Sequence, residues 1–127
     1  MLGYLVIAIG SALGGMARQY TGVAAVRIWG IDFPWGTIVI NILGSFVIGA
    51  FAALTDAEGR YPASVTTRQF VMVGLCGGYT TFSAFSLQTL GLMREGRMVE
   101  AGLNVILSVV LCLGAVALGH WFATSLN

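Results

Sequence analysis

The residues best suited to chemistry lie in one run, Gly74-Leu75-Cys76-Gly77-Gly78-Tyr79-Thr80-Thr81-Phe82-Ser83-Ala84-Phe85-Ser86. It joins three glycines to a cluster of hydroxyls and two phenyl rings, inside a long uncharged segment. Glycine lowers helix propensity, so the Gly77-Gly78 pair predicts an unwound turn. Unwinding releases backbone carbonyls that hydrocarbon cannot satisfy. Such breaks persist at membrane depth only inside protein or beside water. Phe82 and Phe85, three apart, then share a face of the resumed helix, and Ser83 and Ser86 repeat that spacing one residue on. The run thus offers free carbonyls, hydroxyl donors and two aromatic edges, which are electropositive. The same spacing also fits a kinked helix packed closely on its neighbours, with its rings toward lipid.

Few other polar groups lie in the apolar segments. Asn41 stands mid-way along the second. A buried amide costs several kcal/mol unless its donors and acceptor are met. Asn41 therefore reads either as helix–helix glue or as a donor facing an ion path. Asn104, Ser108 and Cys112 are spaced four apart and share one helix face, either a polar track or a helix contact. Arg18 is the one charge in or near hydrocarbon. Such a charge is a functional candidate, here for an electropositive vestibule, or a side chain that snorkels to the interface. His120, near the end of the last segment, reads as interfacial.

What is missing narrows the chemistry further. No Asp, Glu or Lys lies inside an apolar span, whereas proton-coupled export needs a carboxylate there. No paired carboxylates and no nucleophile with a base are present, so an enzyme is not expected. The net charge of +1 comes without a basic run, which argues against nucleic acid. Cys76 and Cys112 lie in apolar segments without metal-ligand spacing and read as small apolar fillers. Neutral donors, aromatic edges and arginine suit an anion. Asn41, Ser108, Thr81 and Ser83 are the candidate donors to it.

The elements that must position these residues are membrane helices. Hydrophobic residues make up 57% of the chain and charged ones 9%, a membrane composition. A span needs about 20 apolar residues. The first begins near Leu2 and stays uncharged to Arg18, with a further apolar stretch from Thr21 to Val26. No basic residue precedes it, so it is expected to be retained and not cleaved as a signal peptide. The second runs from Phe33 to Leu54, with Asp32 as cap and Pro34 in the first turn. A polar loop from Thr55 to Arg68 follows. The third runs from Gln69 to Met93 with the break inside it. After the Arg94-Glu95-Gly96-Arg97 turn, the fourth runs from about Val99 to Phe122. This predicts one all-α domain over residues 1–127, an up-down bundle of four transmembrane helices whose third is broken mid-membrane. Small residues four apart (Gly10 with Gly14, Ser11 with Gly15, Ser45 with Gly49, Gly74 with Gly78, Ala115 with Gly119) allow close helix approach. Tyr20, Trp29, Trp35 and Trp121 fit an interfacial aromatic belt. Four thin helices scarcely enclose a pore, so transport implies an oligomer. Arg60 and Arg68 stand on one side, and Arg18, Arg27, Arg94 and Arg97 on the other. That bias is weak under the positive-inside rule and permits insertion both ways.

The run GLCGGYTTFSAFS resembles the signature of the Fluc (CrcB) fluoride ion channel family. Gly36 to Gly49, with Asn41 inside it, resembles that family's second-helix motif, and Gly14-Gly15-Met16-Ala17-Arg18 its first-helix motif, although Gln19 stands where an aromatic usually follows the arginine. The resemblance covers the whole chain. It implies a dual-topology, antiparallel homodimer in a bacterial-type inner membrane, surrounded by lipid and passing fluoride through two pores built from both subunits. It implies Phe82 and Phe85 as pore-lining rings. It also implies a structural sodium ion at the dimer centre, held by the carbonyls of Gly77 and Thr80. Passive efflux would then keep cytoplasmic fluoride low. Cys112 and Val116 depart from the hydroxyl-lined fourth helix of the family, which leaves the outer track open. The competing readings are a small dual-topology exporter of organic cations, whose buried carboxylate is missing, and a non-transporting helical assembly protein.

Overall fold

A computed structural model describes all residues, 1–127, and every regular element in it is helical. Helix α1 spans Leu2–Trp29 and α2 spans Trp35–Thr55. Helix α3 covers residues 65–79, passing from an α-helical turn (Val65–Arg68) through a π-helical stretch (Gln69–Cys76) to a last turn at Gly77–Tyr79. Helix α4 spans Phe82–Arg94 and α5 spans Met98–Leu126. Three stretches are long and apolar enough to cross a membrane: Trp35–Thr55, Val65–Arg94 and Met98–Leu126. Helix α1 is not among them, because its glycines, Arg18 and Gln19 dilute an otherwise apolar sequence. At 28 residues it is nonetheless about 42 Å long.

The connections define two ends. At one, the Arg60 backbone N–H donates to Asn127 Oδ1 at 2.8 Å, and Arg68 Nη1 donates to Thr55 Oγ1 at 2.8 Å. At the other, Arg97 pairs with Asp32 at 3.3 Å, with Glu95 at 3.4 Å and with Glu100. The hydrogen bond to Glu100 raises the Arg97 pKa further above its ordinary value, so the guanidinium at the centre of this clamp stays charged. Asp32 therefore serves as an ion-pair partner and not as the cap of α2, whose N-cap position is taken by Pro34. Glu100, in the first turn of α5, is a carboxylate inside a span-length helix, which corrects the expectation of none; it stands at the helix end, paired with Arg97. Gly30 and Gly96 close the turns at this end with φ of 77°, a conformation that side chains resist.

Two glycine seams hold the bundle together. Helix α1 lies along α3, where a Cβ on Gly10 would stand 2.6 Å from the Phe70 carbonyl and one on Gly78 2.6 Å from the Ser11 carbonyl. Gly14 meets the Leu75 carbonyl in the same way. Helix α2 lies along α5, with Gly49 on the Val116 carbonyl and Gly119 on the Phe46 carbonyl. Gly15, by contrast, faces open space. These are close backbone approaches of the kind small residues permit in membranes.

The break in the third span falls at Thr80–Thr81 and not at Gly77-Gly78. Gly77 is helical, with φ −63° and ψ −38°. Thr80 (φ −81°, ψ 159°) and Thr81 (φ −152°, ψ 111°) are extended. The physical reason is a division of labour. Gly78 is committed to the α1 seam, which a helical backbone serves best. The β-branched threonines favour extended backbone. Thr81 then caps α4, its Oγ1 accepting from the Ala84 N–H at 3.1 Å.

Candidate functional site

The break is held open from α2. Asn41 Nδ2 donates to the Thr81 carbonyl at 3.0 Å, and the Thr81 N–H donates to Asn41 Oδ1 at 2.8 Å. One amide thus satisfies both main-chain groups of an extended residue, as a neighbouring strand would. Carbonyls are released as a consequence, those of Gly77 and Thr80 among them. In a continuous helix Gly77 would accept from the Thr81 N–H and Thr80 from the Ala84 N–H. The first donor is taken by Asn41 and the second by Thr81 Oγ1. The Thr80 carbonyl instead receives Arg18 Nη1 at 3.4 Å. Gly44, opposite, has no room for a Cβ beside the Thr80 methyl group.

A cavity of about 390 Å³ opens beside the break. Asn41, Thr81, Phe82, Phe85, Ser108 and Cys112 contribute to its wall, as do Gly77 and Thr80. The two rings lie 5.4 Å apart, centroid to centroid, and are tilted by 48°. Phe85 is 9% exposed and Phe82 78% exposed, so one ring is inside the bundle and the other projects from it. The wall holds no carboxylate and no charged side chain. It presents amide and hydroxyl groups among apolar surface, a setting in which donors to an anion meet little competition from water.

Behind the cavity runs a buried polar chain. Ser108 Oγ donates to Asn104 Oδ1 at 3.4 Å, Asn104 Nδ2 donates to Thr89 Oγ1 at 2.9 Å, and Thr89 Oγ1 donates to the Phe85 carbonyl at 2.8 Å. Asn104 is 1% exposed and Ser108 7% exposed. Every buried side-chain polar atom in the protein has a partner.

The family of CrcB-like proteins, described as Camphor Resistance (CrcB), matches residues 5–120. The chain belongs to the CrcB family. Among its relatives, the chain is 61% identical over 125 residues to the fluoride-specific ion channel FluC of Methylocella silvestris, covering 98% of this chain and 95% of that protein. It is 58% identical to the proteins of the same name in Methylobacterium radiotolerans and Gluconobacter oxydans, covering 97% of this chain and 85% of each of them.

Within this CrcB-family chain, the structure gathers Asn41, Thr81, Phe82, Phe85 and Ser108 around one cavity, with Gly77 and Thr80 also in its lining. Asn104 stands behind the wall and reaches the cavity only through Ser108. Ser83 Oγ is 3.3 Å from Thr81 Oγ1 and is exposed, outside the cavity lining. Arg18 is half-buried against the break. The Gly77 carbonyl is a neutral hard oxygen freed from helical bonding, and the Thr80 carbonyl keeps a second lone pair beside the one that Arg18 meets; this donor type fits a weakly held monovalent cation such as sodium. Sequence reasoning missed Thr89. Its spacing of four from Phe85 was the available signal, since a threonine there bonds back to the carbonyl one turn earlier. It also missed Tyr79, whose hydroxyl is 3.1 Å from Thr21 Oγ1 and ties the end of α3 to α1.

Proposed function

We propose that the chain is a fluoride-selective channel that lets cytoplasmic fluoride leave passively across a bacterial inner membrane. The observation that carries this reading is the cavity beside the Thr80–Thr81 break, where an amide, hydroxyls and two phenyl rings meet with no carboxylate among them. Fluoride is small and strongly hydrated, and stripping an ion of water costs tens of kcal/mol in a low dielectric. The path must return that energy through donors. Asn41 has an amide hydrogen beyond the one it gives Thr81, and the Ser108 and Thr81 hydroxyls and the ring edges of Phe82 and Phe85 complete the set. Ser83 would act from the rim, and Asn104 through Ser108. Arg18 would supply positive potential near the break. The names of the relatives support fluoride as the ion.

The reading includes α1 as a fourth span, supported by its length and by its seam along α3. It includes an antiparallel, dual-topology homodimer with two pores. Phe82, 78% exposed in the single chain, would then complete a pore with the second copy. Arginine counts of three (Arg27, Arg94, Arg97) against two (Arg60, Arg68) at the two ends favour neither orientation strongly. The exposed apolar faces, among them Leu5, Ile9 and Leu13 on α1 and Ile106, Val110 and Leu113 on α5, would meet lipid or the second copy. At the dimer centre, the Gly77 and Thr80 carbonyls of both copies would hold a structural sodium ion, which would supply fixed positive charge and a partner for those oxygens.

Purified protein in liposomes is the test. Fluoride should leave electrogenically and chloride hardly at all. Equal rates for the two ions, or strict coupling to protons, would refute the channel reading. Two or three arginines added after Asn127 should bias insertion to one orientation, abolish activity, and be rescued by an oppositely biased copy. Full activity of the biased chain alone would refute the antiparallel dimer.

A further inference from the structure

The polarity of the chain behind the cavity is fixed from its far end. Thr89 has one hydroxyl proton, and it goes to the Phe85 carbonyl at 2.8 Å. Thr89 Oγ1 can therefore offer Asn104 only a lone pair. The Asn104 amide must meet it with Nδ2, at 2.9 Å, which turns Oδ1 toward Ser108. With an acceptor in front of it, Ser108 parks its own proton there, across a long 3.4 Å bond. Had the amide been turned the other way, Ser108 would face an N–H, and its proton would point permanently elsewhere. Ser108 is the one hydroxyl-bearing residue of this chain that also lines the cavity, and Asn104 behind it is 1% exposed.

We infer that Thr89 is a positioning residue that, through Asn104, makes Ser108 a switchable donor: its proton rests on Asn104 Oδ1 when the cavity holds no anion and turns into the cavity when one arrives. This rests on the fluoride-channel reading. The anion is the stronger acceptor, because hydrogen bonds to a charged partner are shorter and stronger than neutral ones. The parked bond is long and hence easily exchanged. A donor that can return to its resting acceptor helps the ion go as well as come, and fast passage requires that the site hold the ion no more tightly than it can release it.

Thr89→Val keeps the branched shape but removes the lone pair. Asn104 Nδ2, buried and without its acceptor, then turns to Ser108 Oγ, and the Ser108 proton stands fixed toward the cavity. The expected result, from fluoride efflux measured over a range of fluoride concentrations, is a roughly fivefold fall in the half-saturating concentration with a similar fall in maximal rate, the factor of one ordinary hydrogen bond. Thr89→Ala should shift both in the same direction, and Thr89→Ser should restore wild-type values. In a Ser108→Ala background, Thr89→Val should change nothing further. Wild-type kinetics in Thr89→Val, a Thr89→Ser variant as impaired as Thr89→Val, or an undiminished effect without Ser108 would each overturn the inference. Loss of assembly in both Thr89→Val and Thr89→Ala, with Thr89→Ser intact, would assign the residue to folding and overturn it too. A wild-type protein that passes no fluoride would instead overturn the channel reading itself.

Discussion

The two halves of the run around Thr80 solve opposite problems. Before it, Gly74 and Gly78 press α3 onto Gly10, Ser11 and Gly14 of α1, backbone against backbone. The gain there is dispersion and close fit, and the helix stays wound. After it, Thr81 leaves the helix and has its main chain taken up by Asn41, while its hydroxyl caps α4. The gain there is polar groups made available at membrane depth. Glycine, the residue usually held responsible for breaks, is here the means of staying helical in tight quarters. The break belongs to two threonines and an asparagine on another helix.

The sharpest way to break that comparison is to add bulk on the seam. Gly78→Val would drive its side chain into the Ser11 backbone. Overpacking typically costs 1–3 kcal/mol, and a rigid backbone neighbour puts this at about 3 kcal/mol or more. The variant should fail to give monodisperse protein in detergent, as judged by size-exclusion chromatography. A well-behaved Gly78→Val would mean that the seam is loose.

The next effect is at the break. Asn41→Ala leaves the N–H and the carbonyl of Thr81 without partners, at about 1–3 kcal/mol each. Thermal unfolding in detergent should shift down measurably while the protein still assembles. Phe85→Ile should come third. It keeps most of the volume but loses a ring edge and a stacking partner worth about 0.5–1.5 kcal/mol. Fluoride flux should slow severalfold with the assembly intact, and Phe82→Ile should do likewise. Wild-type rates in both would reduce the rings to packing.

The smallest effect sharpens the contrast within one dipeptide. A Cβ on Gly77 would meet nothing nearer than the Met72 carbonyl at 3.7 Å, an ordinary contact. Gly77→Ala should therefore change the stability of the single chain by no more than about 0.5 kcal/mol. Any larger loss, read as a fall in dimer content, would point to a second copy close to that face.

Much of this was legible in the residues. Uncharged length located the second, third and fourth spans, because hydrocarbon tolerates little else. Small residues four apart located both seams. The first helix was harder, since Arg18 sits where a span should be purely apolar, and its guanidinium finds the Thr80 carbonyl 62 positions along the chain. The exact site of the break was hidden for the same kind of reason. Local propensity favoured Gly77-Gly78, but the α1 seam and Asn41 decided it, and both are tertiary. Of the site, Asn41 stood out as a buried amide; its bonds to Thr81 make it glue between α2 and the break, and its second amide hydrogen is what the proposed ion path would use. Thr89 carried only its spacing of four from Phe85 as a signal, beside a more prominent run.

The most direct measurement is fluoride and chloride efflux from liposomes carrying equal amounts of assembled wild-type and Asn41→Ala protein. The account predicts rapid electrogenic fluoride efflux with negligible chloride efflux for the wild type, and fluoride efflux at least tenfold slower for Asn41→Ala, in line with the loss of a hydrogen bond to a charged partner. Wild-type fluoride rates in Asn41→Ala would contradict it, because the ion would then be crossing somewhere other than the cavity at Thr80–Thr81.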